Sequence, residues 1–327
     1  MAFSAFADST AIEKSSYLVR ELEPLEPYLD RRDSRVIDIQ INRPGGMFLE
    51  VDGKDDYEYV ADQRITVDWV ERLCKVLANL TKRQFTLEQP YIKCSLPGGH
   101  RFTGLMGPSV PDGGMAVSIR VKRRVEISLV QYGLGEAQIE DLRKLVAHGR
   151  PVLISGGMGT GKTTFLNCLL KFMPARRRTI LIEDVQELDL DTPNYVRLEL
   201  DTAGGEGRLN WAAAINLSMR LNGQSFVCSE LNVENALPMV RVMTSGHSSF
   251  MMTCHANSPA EAIMAWGSNY EMSSGHPAGP MIRRVARVLD EGAIIQLERV
   301  PGGGRRVTEL VSANQIAGIQ HILKETT

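Results

Sequence analysis

A glycine-rich segment in the middle of the chain has the residue types and spacing to bind phosphate groups. Residues 156–163 read Gly-Gly-Met-Gly-Thr-Gly-Lys-Thr, which fits the phosphate-loop pattern G-x-x-x-x-G-K-[S/T]. Glycines let backbone N–H groups approach phosphate oxygens closely, and the helix that follows directs its positive end at them. In this pattern Lys162 contacts the β- and γ-phosphates, and the Thr163 hydroxyl ligates Mg²⁺. The predicted contact residues are Gly157, Met158, Gly159, Thr160, Gly161, Lys162, Thr163 and Thr164.

Polar residues also follow three other apolar segments, 179–182, 225–229 and 249–254, that are typical of buried strands. The residues directly after these segments are Glu183-Asp184, Glu230 and His255. Because the carboxyl ends of parallel strands meet at one edge of a sheet, we expect these residues to lie beside the phosphate loop. A single carboxylate after a strand is more often a solvated loop residue, so the prediction depends on their coincidence.

Hydrolysis of a nucleoside triphosphate requires a metal site and a group that orients the attacking water. We assign Mg²⁺ to Thr163 and Glu230, and the water to Glu183, with Asp184 or Glu187 as alternatives. His255 is expected to hydrogen-bond the γ-phosphate and to report its loss. His247 precedes the last of the three strands, and its role is left open between a remote position and a contact with a neighbouring subunit.

One short segment bears on whether the nucleotide carries adenine or guanine. The sequence 201–204, Asp-Thr-Ala-Gly, has the DxxG pattern of small GTPases, but no N-K-x-D sequence that would read guanine follows it. We therefore interpret 201–207 as a glycine-rich loop and predict ATP as the nucleotide.

The order of the strands and helices that must position these residues changes near residue 124. Before it, strands and one long helix occur in separate runs, which predicts a small α+β domain; after it, strands and helices alternate, which predicts a mostly parallel sheet covered on both faces. The boundaries we assign are 1–124, a linker at 125–135, and 136–327. A short helix or docking arm is expected within 1–30. The predicted strands are 36–41, 47–51, 91–96, 101–105, 115–120, 151–155, 179–182, 194–199, 225–229, 249–254, 293–300 and 305–311, and the helices are 65–82, 136–148, 163–173, 210–220, 233–244 and 259–267.

Bulk composition excludes several classes of protein. Of the 327 residues, 43% are hydrophobic and 23% charged, and the net charge of −2 does not suit a protein that binds polyanions over its whole surface. The five cysteines are scattered without C-x-x-C spacing, which favours a reducing compartment and argues against a disulfide framework or structural zinc. No apolar stretch reaches 18 residues and no signal-peptide pattern begins the sequence, so neither a membrane-spanning nor a Sec-exported protein is expected.

The ordered set of motifs resembles the secretion ATPase superfamily of type II and type IV secretion, and most of all its VirB/Trb branch. The stretches that carry the resemblance are the phosphate loop 156–164, the aspartate-box-like 182–188, the Walker B-like 218–230, the histidine-box-like 244–257, and Ile41–Gly45 and Ser118–Arg120 in the first domain.

The resemblance implies an α/β fold with a RecA-like C-terminal domain, preceded by a smaller α+β domain that is PAS-like in the family. It implies a homo-hexamer that hydrolyses ATP with Mg²⁺, with Arg101 and Arg120 of the first domain reaching the phosphates. It also implies inner-membrane secretion components and coupling ATPases as partners, at the cytoplasmic face of the bacterial inner membrane with peripheral membrane association. Binding of nucleic acid is not directly predicted.

Two departures from the family pattern keep alternatives open. The sequence has Asn222-Gly223-Gln224 where the family usually has Arg-Pro-Asp, and Ser229-Glu230-Leu231-Asn232 where it usually has Gly-Glu-x-Arg. The missing arginines suggest a nucleotide-binding scaffold with little turnover as one alternative. A nucleic-acid translocase is the other, and it would use the basic runs 122–124, 176–178 and 283–284. The transported substrate, the docking partner and any domain swap at the linker are left open.

Overall fold

The computed structural model describes residues 15–29, 35–122, 127–200, 209–244, 246, 249–300, 304–316 and 319–320. The chain divides near residue 125 into two compact units, each with a hydrophobic core of its own. His247 and the glycine-rich loop predicted at 201–207 lie outside the described residues.

The first unit is a six-stranded antiparallel sheet covered on one face by helices, in the order β3-β2-β1-β6-β5-β4. Its strands are β1 (Val36–Ile41), β2 (Gly46–Val51), β3 (Glu58–Ala61), β4 (Tyr91–Ser95), β5 (Arg101–Met106) and β6 (Met115–Arg120), and its helices are α1 (Ser16–Leu22) and α2 (Val67–Thr81). The Thr66 hydroxyl caps α2 by accepting a hydrogen bond from Trp69 N at 3.1 Å. The apolar stripe of α2, including Leu73 and Leu77, packs into the core under the sheet.

The second unit is a seven-stranded sheet in the order β13-β12-β7-β11-β10-β8-β9. Its strands are β7 (Val152–Gly156), β8 (Thr179–Glu183), β9 (Tyr195–Glu199), β10 (Ser225–Cys228), β11 (Phe250–Cys254), β12 (Ala293–Arg299) and β13 (Arg305–Val311). Strands β7 to β12 are all parallel, and β13 pairs antiparallel with β12 at the edge. The predicted fold class, a RecA-like sheet after a smaller α+β domain, is confirmed.

Helices cover both faces of this sheet. They are α3 (Glu136–Ala147), α4 (Lys162–Leu170), α5 (Trp211–Arg220), α6 (Val233–Thr244), α7 (Pro259–Ser274) and α8 (Gly279–Asp290). Helices α3 and α4 pack in one core with Val227, and α5 to α8 pack in the other with Phe226 and Cys228. Alternate residues of β10 therefore face opposite cores, as the pleat of a strand requires.

Besides short 3-10 turns, the described part of the chain contains one strand and one α-helix that the sequence patterns did not predict, and one helix is longer than predicted. Strand β3 lies at the edge of its sheet and is only half-buried on alternate residues, so it lacks a clear apolar signal. Helix α8 was missed although its apolar residues recur on one face. Helix α7 continues past Gly267, where a side chain would meet Ile282 Cγ1 of α8 at 2.7 Å.

Part of the predicted linker is packed against the second unit. Residues 129–132 form a short 3-10 helix, and Leu129, Tyr132 and Leu134 are buried in the same core as α3 and α4. None of the helices among the described residues is long and apolar enough to cross a membrane.

Candidate nucleotide-binding site

The phosphate loop joins the end of β7 to the start of α4, as predicted. Gly159 and Gly161 have φ angles of +72° and +81°, which side chains other than glycine rarely adopt. At Gly161 a Cβ would also lie 2.7 Å from Arg305 Cδ and 2.9 Å from the Tyr132 hydroxyl. Helix α4 begins at Lys162, so its free N–H groups face the inside of the loop.

Lys162 is almost fully buried, with 8% of its surface exposed. Its ammonium group donates hydrogen bonds to Gly156 O at 2.9 Å and Gly157 O at 2.8 Å. A buried ammonium group needs oxygen partners, and these carbonyls supply them at the base of the loop. The charge of Lys162 is thus held at the point where the pattern places phosphate oxygens.

His255 lies between Lys162 and Glu230. Its Nδ1 is 3.2 Å from Lys162 Nζ, and its Nε2 is 3.6 Å from Glu230 Oε1. Because an ammonium group can only donate, Nδ1 must accept and the ring proton of the neutral imidazole is on Nε2, facing the carboxylate. The structure therefore brings together the ends of β7, β10 and β11, as the sequence predicted.

The charge state of His255 is set by its surroundings. Burial and the ammonium of Lys162 lower the pKa of His255 from its ordinary value of 6.5, and the Glu230 carboxylate opposes them. The imidazole is accordingly neutral near pH 7. At that pH it accepts a hydrogen bond from the lysine, lies 3.6 Å from the carboxylate without a hydrogen bond to it, and adds no third charge.

Glu183 lies at the end of β8 but is completely buried. Its Oε2 accepts hydrogen bonds from the backbone N–H groups of Glu187 and Leu188, both at 2.8 Å, and its Oε1 pairs with Arg197 NH1 at 2.7 Å. A general base must reach a water molecule with a free lone pair. This position does not fit the water-orienting role predicted for Glu183, because the carboxylate is enclosed and clamps the next loop to β9.

The loop after β8 is also tied to the phosphate-loop helix. Asn167 of α4 donates from Nδ2 to Glu187 O and accepts from Asp189 N, both at 2.9 Å. Asp184 and Glu187 are half-buried in this loop. They remain the alternatives for the water-orienting role on this side of the site.

Glu230 has a different environment from Glu183, since 48% of its side chain is exposed. Its backbone carbonyl accepts a hydrogen bond from Asn235 Nδ2 at 2.6 Å. Asn235 in turn exchanges bonds with Asn232: Asn232 N donates to Asn235 Oδ1 at 2.9 Å, and Asn235 N donates to Asn232 Oδ1 at 3.0 Å. This reciprocal cap begins α6 and fixes the backbone from which the Glu230 side chain projects.

The donors predicted for Mg²⁺ suit that ion. Thr163 is half-buried in the first turn of α4, and the exposed Glu230 carboxylate lies beside His255 across the site. A hydroxyl and a carboxylate are hard oxygen donors, which Mg²⁺ prefers, and Mg²⁺ usually keeps several waters besides. Of the other predicted contact residues, Thr160 donates to Gly157 O at 2.9 Å, Thr164 is half-buried, and Met158 is 80% exposed at the tip of the loop.

Two side chains that the sequence analysis missed hold the outer side of the loop. Tyr132 donates from its hydroxyl to Gly161 O at 3.1 Å, and Arg305 donates from Nε to Gly159 O at 3.1 Å. Burial raises the pKa of the Tyr132 phenol, so it remains a donor. The two side chains line a pocket of about 250 Å³ with Ile127, Gln131 and Gly304. No motif marks these residues, and only the fold brings them to the loop.

Arg101 and Arg120 belong to the first unit. They are directly opposite each other on β5 and β6, and Arg120 NH2 is 3.2 Å from Asp38 Oδ2 on β1. This pairing places two positive charges on neighbouring strands, and the Asp38 carboxylate pairs with one of them. Their approach to the phosphates remains a prediction from the resemblance.

Two of the three arginines in the basic run 176–178 donate hydrogen bonds to backbone carbonyls of the second unit. Arg177 donates to Val146 O and Ala147 O at the end of α3, both at 2.9 Å. Arg178 donates from Nε to Leu221 O at 2.7 Å. Both arginines thus satisfy carbonyls at helix ends, which reduces the positive surface available to a nucleic acid.

Comparisons with known proteins identify the family and several similar chains. Residues 35–267 match the family described as Type II/IV secretion system protein. The type IV secretion system protein PtlH of Bordetella pertussis is 29% identical, over 88% of this chain and 93% of that protein. The type IV secretion system protein VirB11 of Brucella suis is 28% identical, over 77% of each. The crystal structure of the pilus retraction motor PilT with bound ADP has a TM-score of 0.65 at 18% identity, over 93% of this chain and 86% of that chain, and this likeness concerns the fold.

Proposed function

The chain belongs to the type II/IV secretion system protein family, and from this premise we propose that it is a Mg²⁺-dependent ATPase that powers transfer or assembly in a type IV secretion, conjugation or related pilus system. The observation that carries the proposal is the chain of contacts from Lys162 through His255 to Glu230 at the phosphate loop. The names of the relatives support the cellular process, since PtlH and VirB11 are type IV secretion proteins.

Binding of the triphosphate would use groups that the fold already orients. The N–H groups of the loop and of the first turn of α4 would hold the phosphates, and Lys162 would exchange its bonds to Gly156 O and Gly157 O for phosphate oxygens. Such an exchange would release His255 Nδ1 from the ammonium group. The imidazole is therefore placed to respond to the γ-phosphate, as the sequence analysis predicted.

Thr163 and Glu230 would hold Mg²⁺, which when bound neutralises charge on the phosphate oxygens. Glu230 is the accessible carboxylate of the site, whereas Glu183 is enclosed by Arg197 and backbone donors. We assign to Glu230 both the metal contact and the orientation of the attacking water, with Asp184 or Glu187 as the second carboxylate. Glu183 acts in this proposal by holding the loop that contains them.

Assembly is the part of the proposal that goes beyond a single chain. We propose a homo-hexamer in which Arg101 and Arg120 stabilise charge on the transferred phosphoryl group. The cross-strand position of the two arginines supports a shared anionic ligand. The proposal also places the ring at the cytoplasmic face of the inner membrane, in contact with membrane-embedded secretion components.

The test is ATP turnover of the purified protein beside Lys162→Ala and Glu230→Gln, with the oligomer size of each sample measured by light scattering. Glu298→Gln, which changes an exposed carboxylate on β12, is the matched control. We expect turnover in a hexamer that is lost in both site variants and kept in the control, while Glu230→Gln still binds ATP. A wild-type hexamer that binds ATP without turnover would contradict the ATPase and favour the scaffold alternative.

A further inference from the structure

Ser229 occupies a position in the site where this chain departs from the family pattern. It follows β10 directly and precedes Glu230, where the family usually has glycine. A glycine offers no side chain there, whereas serine adds a hydroxyl. The question is what this hydroxyl contacts.

The strand ladder continues through Ser229 and fixes its neighbours. Ser229 N donates to Ile182 O of β8 at 3.1 Å, and Ser229 O accepts from Thr253 Oγ1 of β11 at 2.6 Å. The register pairs Cys228 with Ile182 and with Met252, so Ser229 lies level with Glu183 on one side and Thr253 on the other. Ser229 is thus in the middle of a polar row at the carboxyl edge of the sheet.

The face of the sheet follows from alternation along β10. Val227 packs in the core formed with α3 and α4, and Cys228 packs in the opposite core. Ser229 is two residues after Val227, so it projects to the same face as Val227. That face is the one covered by α4, the helix that carries Lys162 and Thr163 in its first turn. The serine therefore faces the side of the sheet on which the phosphates and their metal would bind.

The Ser229 hydroxyl, like that of Thr192, lacks the hydrogen-bond partner that the other buried hydroxyls in the described part of this unit have. The residue is 5% exposed, and its Oγ has no hydrogen-bond partner among the residues that the structure describes. Thr253 donates to Ser229 O at 2.6 Å, Ser225 pairs with Ser249 Oγ at 2.6 Å, and Ser218 donates to Ile215 O at 2.7 Å. Burial of an unsatisfied hydroxyl is unfavourable, so a ligand that supplies the missing bond would bind more tightly because of it.

We propose that the Ser229 hydroxyl hydrogen-bonds a water molecule in the coordination shell of Mg²⁺ when Mg²⁺ and nucleotide are bound. The inference rests on the proposed function. Mg²⁺ keeps several of its waters in protein sites, and those waters need acceptors and donors in the second shell. A hydroxyl can be either, and Ser229 lies beside Glu230, the carboxylate assigned to the same ion. Ser229 is thus a positioning residue that acts on the metal through water.

The experiment measures binding of a fluorescent ADP to the full chain in Mg²⁺ and in EDTA. It compares wild type with Ser229→Ala and Ser229→Gly, which both remove the hydroxyl. Loss of one net hydrogen bond corresponds to about three- to tenfold weaker binding. We expect Ser229→Ala to raise the Mg²⁺ concentration required for half-maximal enhancement of ADP binding by about this factor. Binding in EDTA should be unchanged, because the hydroxyl acts through the metal.

Ser225→Ala is the matched control, because Ser225 is a buried serine on the same strand and face, at the end of β10 remote from the site. Ser225→Ala breaks the bond to Ser249 and should lower the urea midpoint while leaving the Mg²⁺ dependence as in wild type. Ser229→Ala removes an unsatisfied hydroxyl and should keep or raise the midpoint in the absence of nucleotide. Ser225→Ala is therefore expected to change the urea midpoint and not the Mg²⁺ dependence of ADP binding. Ser229→Ala is expected to change the Mg²⁺ dependence without lowering the urea midpoint.

The outcomes separate the inference from the proposed function. Wild type that binds and hydrolyses ATP, with Ser229→Ala unchanged in its Mg²⁺ dependence, would overturn the role of Ser229 alone. A Ser229→Ala variant that loses stability as Ser225→Ala does would assign the hydroxyl a structural bond and also overturn it. Wild type that binds no nucleotide in Mg²⁺ would overturn both.

Discussion

The different burial of the two site carboxylates predicts opposite consequences for the same substitution. Glu183→Gln removes the charge from a completely buried group that faces Arg197 and two backbone N–H donors. Disruption of a buried ion pair costs about 3–5 kcal/mol, and the partial exposure of Arg197 reduces this. The amide oxygen of glutamine can keep one of the acceptor contacts. We therefore expect the free energy of unfolding of the second unit to fall by about 2–4 kcal/mol.

Glu230→Gln changes a carboxylate that is about half exposed, and surface substitutions usually alter stability by less than about 0.5 kcal/mol. We therefore expect Glu230→Gln to unfold at the wild-type midpoint. Its loss of turnover would then come from the missing carboxylate and not from unfolding. Urea unfolding can be followed through Trp211 and Trp266 of the second unit, in a Trp69→Phe background that removes the tryptophan of the first. A double-mutant cycle with Arg197→Met should give a coupling energy of about 1–3 kcal/mol between Glu183 and Arg197.

One result would refute this account of Glu183. If Glu183→Gln unfolds at the wild-type midpoint, shows no coupling to Arg197→Met and has lost turnover, then Glu183 is a base with access to water. The sequence-based assignment would then be restored and the clamp role withdrawn.

Two further predictions concern His255 and Asn235. The NMR titration midpoint of the His255 ring should lie below 6.5, rise toward it in Lys162→Ala and fall further in Glu230→Gln, because the lysine lowers and the carboxylate raises the pKa. A midpoint at 6.5 that neither variant moves would contradict the placement of the ring between the two charges. Asn235→Asp keeps the acceptor for Asn232 N but loses the donor to Glu230 O, so we expect about a tenfold lower kcat with unchanged ATP binding. An equal loss of kcat and binding would indicate a general distortion of the site instead.

The convergence of the site was predictable because it follows from the topology of a parallel sheet. Each of β7, β8, β10 and β11 ends in an apolar run followed by polar residues, and parallel strands place such ends at one edge. The prediction that Lys162, Glu230 and His255 lie together is confirmed at the level of the fold. Their catalytic roles stay predictions.

The sequence did not distinguish an enclosed carboxylate from an accessible one. Glu183 and Glu230 each follow an apolar strand, and the difference between them is Arg197, whose side chain reaches Glu183 from the neighbouring strand β9. Such a pairing depends on strand order, which local patterns do not contain. Tyr132 and Arg305 were missed for the same reason. Tyr132 is 29 residues from its partner Gly161 along the chain, and Arg305 is 146 residues from its partner Gly159.

The two departures from the family pattern have local structural roles that bear on the choice between a motor and a scaffold. Asn232 caps α6 through its exchange with Asn235, and Asn222 has a φ of +56° in the turn before β10. Replacing a capping asparagine costs about 1 kcal/mol, and a left-handed conformation costs most residues about 1–2 kcal/mol but asparagine less. Arginine at either position would therefore strain the turns that carry β10 and Glu230. The asparagines preserve the geometry on the metal side of the site, and what the chain lacks is a donor that would project from it. The two departures therefore leave the internal arrangement of the site intact, and the turnover measurement beside Lys162→Ala and Glu230→Gln decides between a motor and a scaffold.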